Sequence, residues 1–318
     1  MIIKRRSKPL SLQKLKAIVP RISVNGNHML IRELNKEIDK EYKGYIGERK
    51  VDYFLDILAN RATILQSVCL RVNDKNFQID TVLITDHAIY CIESKNFKDS
   101  ITFDTIHNQL IRNDGKQERG YRYPITQAQT QQHLLMNWLQ KHNYHGIPIH
   151  YFIGISDPGT IIKVIGDQEA IARVVAHAEL LPKRIIATDE KLHVDGKTKI
   201  NGYQIGMLIL KNCREQDFDI LGKFSIKKSE ILTGVQCPKC DVLGMERLFG
   251  KWKCNKCGHH SKHAHKKAIS DYLLLFGPTI TNKECMGFLN INSRSLATRI
   301  LQACGLEYQT KHRKWIKS

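Results

Sequence analysis

This chain has no long apolar run and is short of acid. No stretch approaches the roughly 18 apolar residues of a membrane span, and the opening Met1-Ile2-Ile3-Lys4-Arg5-Arg6 is not followed by the apolar core of a secretion signal. A soluble, cytoplasmic protein is therefore expected. Disorder is not: 42% of the residues are hydrophobic, and a length of 318 suffices for about two or three domains with a sizeable buried core. Asp and Glu number 31 against 50 Lys and Arg, a formal net charge of +19. Such an excess favours a polyanionic partner, either nucleic acid or an acidic membrane surface. It is also uneven. Residues 223–318 carry 18 Lys/Arg against 6 Asp/Glu, a net of +12, while residues 1–222 carry 32 against 25, a net of +7. The C-terminal third is thus the expected docking surface.

Of nine cysteines, Cys69, Cys91, Cys213, Cys285 and Cys304 stand singly in apolar sequence and read as core residues in a reducing compartment. The other four are paired. Cys237-Pro238-Lys239-Cys240 and Cys254-Asn255-Lys256-Cys257, 13 residues apart, have the spacing of a tetrathiolate site. Two such knuckles complete a tetrahedron around Zn²⁺, and four protein ligands leave no open position for substrate, so a structural zinc ribbon is expected. Residues 248–253 between the knuckles read as a short hairpin. Iron in the same cage, or a redox pair, are the alternatives. His259, His260, His263 and His265 follow and are assigned to solvent or phosphate contact.

Residues 1–40 alternate short basic and apolar stretches and end in an expected helix near 30–42. Gly44-Tyr45-Ile46-Gly47-Glu48 then opens a second helix, with Val51, Phe54, Leu55 and Leu58 at helical spacing and Glu48 in the first turn. Gly44 and Gly47 read as the turn and cap that aim Glu48 inward. Strand-like runs follow at 62–72, 77–85 and 88–95, parted by turn residues at Asn73-Asp74 and Asp86-His87. A hairpin arm is expected from 101–103 and 109–112. Pro124 suits the first turn of a helix reaching His142, with Leu134, Leu135, Trp138 and Leu139 on one side, and 148–155 read as a buried strand. Helix, three strands, helix, strand is the order of an α/β sandwich on a mixed sheet. Residues 156–222 alternate short strands and helices, one of them near 168–177, and 222–229 are polar and basic enough for a linker. The expected divisions are 1–43, 44–222, 223–262 and 263–318.

Charged residues interrupt these strands in an ordered way. Asp80 ends Phe77-Gln78-Ile79-Asp80, and Glu93 and Lys95 lie in Ile89-Tyr90-Cys91-Ile92-Glu93-Ser94-Lys95. Strand side chains alternate faces, so Glu93 and Lys95 emerge side by side while Asp80 pairs alongside from the preceding strand. Ionised carboxylates in apolar strands are costly unless hydrogen-bonded or bound to a cation, and the cation they suit is a hard one. Taken singly, Glu93 and Lys95 read equally as an ion pair on an edge strand, and Asp80 as a turn cap. Together they suggest a metal-dependent nuclease.

Four motifs in order, Gly44-x-x-Gly47-Glu48, Gln78-Ile79-Asp80, Ile92-Glu93-x-Lys95-Asn96 and Pro124-Ile125-x-Gln127, make residues 44–155 resemble the nuclease-related domain (NERD) family. That family is similar to the restriction-endonuclease-like PD-(D/E)xK superfamily. The resemblance implies a restriction-endonuclease-like α/β core, a mixed central sheet flanked by helices, and hydrolysis of phosphodiester bonds, with DNA as substrate and duplex DNA as partner. It implies that Asp80 and Glu93 bind Mg²⁺ or Mn²⁺, with the Ser94 carbonyl as a further oxygen, and that Lys95 orients the attacking water. Glu48 would hold a metal-bound water or a second ion, and Gln127 would fix the water or a phosphate oxygen. His133, further along the same helix, reads as packed or solvated. No membrane partner is implied, and a homodimer or a protein partner stays open. Two readings compete with a DNase: a catalytically silent DNA-binding or regulatory protein on a nuclease-like fold, and an RNA-directed nuclease. The intact Asp80, Glu93 and Lys95 set speaks against the first, since a binder has no physical need to keep it together.

After the ribbon, residues 266–276 have a helical apolar pattern that stops at Gly277-Pro278. Thr281-x-x-Glu284 is a capping box for a helix carrying Cys285, Phe288 and Leu289 inward, and Ser293 caps another with Leu296, Ile300, Leu301 and Cys304 on one side. The opposite side shows Arg294, Ser295, Thr298, Arg299 and Gln302, which have phosphate- and base-capable side chains. The basic stretch 308–316, with Lys311, Arg313 and Lys314, reads as a wing. A winged helix-turn-helix-like DNA-binding tail is expected; a solvated mini-bundle is the alternative.

Overall fold

The computed structural model describes residues 1–23, 25, 27–195 and 199–317. In chain order it runs β1 (Ile2–Lys4), α1 (Leu10–Ile18), α2 (His28–Leu55), β2 (Thr63–Val72), β3 (Lys75–Ile84), β4 (Ile89–Lys95), β5 (Ser100–Asp104), β6 (Gln109–Asn113), β7 (Glu118–Arg122), α3 (Pro124–Lys141), β8 (Ile149–Ile155), β9 (Ile161–Ile165), α4 (Gln168–Val174), β10 (Val175–His177), α5 (Leu181–Val194) and α6 (Gly202–Asn212). It continues through α7 (Ile220–Lys223), β11 (Glu246–Leu248), β12 (Lys251–Lys253), β13 (His260–Ser261), α8 (Ala264–Phe276), β14 (Thr279–Ile280), α9 (Asn282–Leu289), α10 (Arg294–Ala303), β15 (Leu306–Gln309) and β16 (Lys314–Lys317). Among the described residues, no helix is long and apolar enough to cross a membrane.

Contacts group the chain into two units, Met1–Lys8 with Tyr42–Gln216, and Pro9–Glu41 with Asp217–Ser318. The first holds a six-stranded mixed sheet in the order β1-β2-β3-β4-β8-β10. β3 lies antiparallel to β2 and β4, while β8 runs parallel to β4 and β10. Ile89, Tyr90, Cys91 and Ile92 are all fully buried, the continuous apolar run of a strand covered on both faces. Helices α3 and α6 supply Leu135, Trp138, Leu139, Ile205 and Ile209 to the face of Ile89 and Cys91. Val51 and Leu55 of α2, with Leu181 and Ile185 of α5, cover the face of Tyr90 and Ile92. The expected hairpin arm belongs to a second sheet, β7-β6-β5-β9. The expected helix at 168–177 ends at Val174, because residues 175–177 pair in parallel with β8.

The second unit has one core, to which Leu15, Leu34, Cys237, Trp252, Tyr272, Phe288 and Trp315 all contribute. The expected divisions at 43, 222 and 262 are therefore not those the contacts draw, and the expected N-terminal segment is split at residue 8. Leu15, Ile18, Ile22 and Leu34 join this core, and beside them Arg21 is buried, its side chain 1% exposed. Its guanidinium donates to the carbonyls of Leu232 and Gly234, pairs with Asp271 at 3.2 Å and lies over the Phe288 ring. A three-stranded sheet β11-β12-β13 is formed by the residues between the cysteine knuckles and just after the second. α8, β14, α9, α10, β15 and β16, with the sheet order β14-β16-β15, have the winged-helix arrangement. Thr281 and Ser293 cap α9 and α10 as expected, each accepting a backbone N–H three residues on.

The two helices expected around 30–42 and from Gly44 are a single helix, α2, and Glu48 lies in its interior rather than its first turn. Neither Gly44 nor Gly47 has a positive φ, so neither is a turn or a cap. Gly47 instead makes room: a Cβ there would stand 2.4 Å from the Asn96 Cβ, and Asn96 Nδ2 donates to the Lys43 carbonyl at 2.7 Å. This close approach seats the helix against the end of β4. Nothing lies within 4 Å of a Cβ built on Gly44. Gly44→Ala is therefore expected to stabilise the protein by up to about 1 kcal/mol, through helix propensity. Gly47→Ala is expected to destabilise it by about 1–3 kcal/mol through overpacking. Thermal melts of the two variants check the opposite signs.

Candidate functional site

β4 carries its apolar face up to Cys91, and the next two positions on that face are Glu93 and Lys95. α3 begins at Pro124 and lays Gln127 and Gln131, one turn apart, over them. Glu93 Oε1 accepts from Lys95 Nζ and from Gln127 Nε2, both at 2.6 Å, and Oε2 accepts from Gln131 Nε2 at 2.8 Å. Lys95 Nζ also donates to Gln127 Oε1 at 3.2 Å. Thr81 pairs with Ile92 across the antiparallel ladder, so Asp80 and Glu93 are the next opposed positions. Asp80 Oδ2 accepts the Ser94 N–H at 2.8 Å. Both carboxylates are buried, Glu93 at 3% and Asp80 at 9% exposure.

Burial, then the negative charges of Glu93 and Glu48, hold the Asp80 carboxyl well above the usual carboxylate range, against the pull of Arg6 and the Ser94 N–H. Two buried, mutually repelling carboxylates are a fitting donor set for a hard divalent cation, whose charge would oppose that shift. The structure thus brings Asp80, Glu93, Lys95 and Gln127 together. His133 is exposed beside Asn137.

Glu48 reaches this region from α2, but its Oε2 accepts from Arg6 Nη1. Arg6 follows β1, which pairs in parallel with β2, and its side chain is only 3% exposed. Its Nε donates to Asp52 Oδ2 at 2.7 Å and its Nη2 to Asp52 Oδ1 at 3.2 Å. Nη2 also reaches the Asp80 carbonyl at 2.6 Å and Thr81 Oγ1 at 3.3 Å. Arg6, Asp52 and Gln131 were not among the sequence candidates. Asp52 and Gln131 had a signal, each lying one helical turn beyond a candidate, Glu48 and Gln127. Arg6 had none.

Residues 43–156 match the family model of the nuclease-related domain, NERD. No curated protein and no solved structure matches this chain. The NERD match contains Glu48, Asp52, Asp80, Glu93, Lys95, Gln127 and Gln131, and it excludes Arg6 and the four cysteines of residues 237–257.

Beyond the NERD segment lies a second cluster. Among the described residues, Cys237, Cys240, Cys254 and Cys257 are the one set of three or more His, Cys, Asp or Glu side chains whose ligand atoms all fall within 4.8 Å of one another. The Cys237–Cys257 and Cys240–Cys254 sulfurs are 3.7 and 3.6 Å apart, close to the edge of about 3.8 Å in a tetrahedron with Zn–S bonds of about 2.3 Å. The Cys257 and Lys256 N–H groups draw the Cys254 thiol below its usual value, with burial opposing. The cluster suits a tetrahedral Zn²⁺. His265, expected in solvent, is buried instead: its Nδ1 accepts from Trp252 Nε1 at 3.0 Å. Burial, then the charge of Arg247, pushes its imidazole down to about 4.

On α10, Arg294, Ser295, Arg299 and Gln302 are exposed, as are Lys311, Arg313 and Lys314 at the β15–β16 turn. Thr298 is engaged, accepting from Asn282 Nδ2 at 2.7 Å. Asn282 Oδ1 in turn accepts from Trp315 Nε1 at 2.8 Å, so one side chain on α9 ties the helix to the wing. Arg247 of β11 lies over the Trp252 ring, close enough to Arg299 for that charge to lower its pKa after burial does. Cations of the cysteine ribbon and of α10 therefore adjoin. Because the knuckle cysteines share a core with α8–α10, Cys254→Ser is expected to release the bound metal and to open both the ribbon and the winged helix to protease. Elemental analysis and limited proteolysis check this; cleavage confined to residues 237–258 would contradict the shared core.

Proposed function

We propose that this protein is a divalent-metal-dependent nuclease that hydrolyses phosphodiester bonds of DNA, with Mg²⁺ or Mn²⁺ held by Asp80 and Glu93. The ribbon and the winged-helix tail would dock the nucleic acid. The observation that carries the reading is the buried Asp80–Glu93 pair beside Lys95, inside a segment that matches a nuclease-related domain. Carboxylates so placed oppose folding unless they are compensated, and a pure binding surface does not call for them.

When bound, the divalent ion supplies Lewis-acid polarisation of the scissile phosphate. Gln127 and Gln131 fix both oxygens of Glu93, so the ligand set is preorganised. Lys95 orients the attacking water and offsets the charge that develops on the phosphate oxygens. Gln127, bonded to Lys95 and Glu93 at once, sets the position of the ammonium. A water oxygen forms the new bond to phosphorus as the 3′-oxygen leaves, and a 5′-phosphate remains. Zn²⁺ on the four cysteines has a structural role. The exposed cations of α10 and the wing, with Arg247 next to Arg299, would contact phosphates.

Asp80→Asn and Glu93→Gln should each lower cleavage by three or more orders of magnitude, about 4 kcal/mol, while DNA affinity stays within a few-fold of wild type. Single-turnover assays on plasmid DNA measure this, and wild-type rates in both variants would defeat the assignment. Arg294→Ala and Arg299→Ala should each weaken duplex binding and reduce the slope of log K against log salt by about 1. Unchanged salt dependence in both would remove α10 from the DNA interface.

A further inference from the structure

Arg6 is the strongest unassigned feature of the NERD-bearing unit. We infer that its guanidinium takes the place of a second divalent cation, so that the site holds one ion, bound by Asp80 and Glu93, and Glu48 is a partner of Arg6 rather than a ligand. The inference rests on the divalent-metal reading of Asp80 and Glu93.

Three observations converge on it. The first is donor geometry. Arg6 grips Asp52 through Nε and Nη2, reaches Glu48 through Nη1, and is anchored to the Asp80 carbonyl and Thr81 Oγ1. Thr81 Oγ1 also donates to Asp52 Oδ1 at 2.7 Å. A planar fork used from several sides is a fixed charge, always protonated. The second is burial. The Arg6 and Asp52 side chains are 3% and 7% exposed; an ion that recruited Glu48 would strip a partner from a buried guanidinium, the costly way to break such a pair. The third is charge. With every carboxyl ionised, as a bound cation requires of its ligands, Glu48, Asp52, Asp80 and Glu93 count four negative charges against the two positive ones of Arg6 and Lys95. The balance of two negative charges equals the charge of one divalent ion, and a second ion would leave a buried excess of positive charge. Arg6 also lies outside the segment that matches the family model, in the stretch that follows β1.

The test is the stoichiometry of Mn²⁺ binding by the full-length, zinc-loaded protein, read by titration calorimetry with MnCl₂ and no DNA. Wild type should take up one Mn²⁺ per chain. Glu48→Gln should leave both the count and the affinity in place, and Asp80→Asn should abolish binding. Arg6→Gln, with Glu48 and Asp52 released, should take up two. Two ions in wild type, one of them lost in Glu48→Gln, would overturn the inference and leave the metal reading standing. A folded Arg6→Gln variant that still takes up one ion would do the same. No Mn²⁺ bound by wild type, or binding kept by Asp80→Asn, would overturn the metal reading and this inference with it. Should Arg6→Gln not fold, as judged by circular dichroism, the wild-type and Glu48→Gln titrations still decide the matter.

Discussion

The constraint on which the first unit depends is the burial of carboxylates at the end of an apolar strand. An uncompensated ion in such a place costs several kcal/mol, a large part of the roughly 5–15 kcal/mol that holds an ordinary domain together. The surroundings of β3 and β4 are arranged around that cost. Lys95, Gln127 and Gln131 hydrogen-bond Glu93, the Ser94 N–H and the Arg6 field act on Asp80, and Arg6 pairs with Glu48 and Asp52. Gly47 belongs to the same arrangement, because only a residue without a Cβ lets α2 close on Asn96 and carry Glu48 and Asp52 to the strand ends.

The second unit solves a different problem. A ribbon of three short strands cannot bury enough apolar surface to stand alone, and here it does not have to. Trp252 and the knuckle cysteines enter the core that also takes in the winged helix and residues 9–41. The Trp252–His265 hydrogen bond and the Asn282 bridge between α10 and Trp315 fix these pieces against one another. Arg294, Arg299, Lys311, Arg313 and Lys314 remain exposed, and the charge of Arg299 reaches Arg247 of the ribbon.

The strands, the meeting of Asp80 with Glu93 and Lys95, and the cysteine cluster were legible because their signals are local. The period of β2 to β4, Pro124 at the head of α3, the Thr281 and Ser293 caps and the two Cys-x-x-Cys units each lie within one short window. Glu93 and Lys95 needed only the alternation of a strand. What was not legible depends on distant residues. α2 continues through two glycines where local chemistry suggested a break, and Gly47 meets Asn96, 49 residues on. Arg6 meets Asp52 and Asp80 across 46 and 74 residues, and no spacing rule spans that distance. Arg21, buried against Leu232, Gly234 and Asp271 more than 200 residues on, is hidden for the same reason. His265 looked like one of four solvated histidines until the packing of α8 on Trp252 set it apart.

The central claim is that the buried pair on β3 and β4 serves phosphodiester hydrolysis. Incubation of the full-length protein with supercoiled plasmid in Mg²⁺ or Mn²⁺, against a parallel reaction in EDTA, tests it most directly. The account expects nicked or linear product bearing 5′-phosphate ends in the presence of metal and intact plasmid in EDTA. A protein that binds the plasmid tightly yet leaves it uncut with either metal would contradict it.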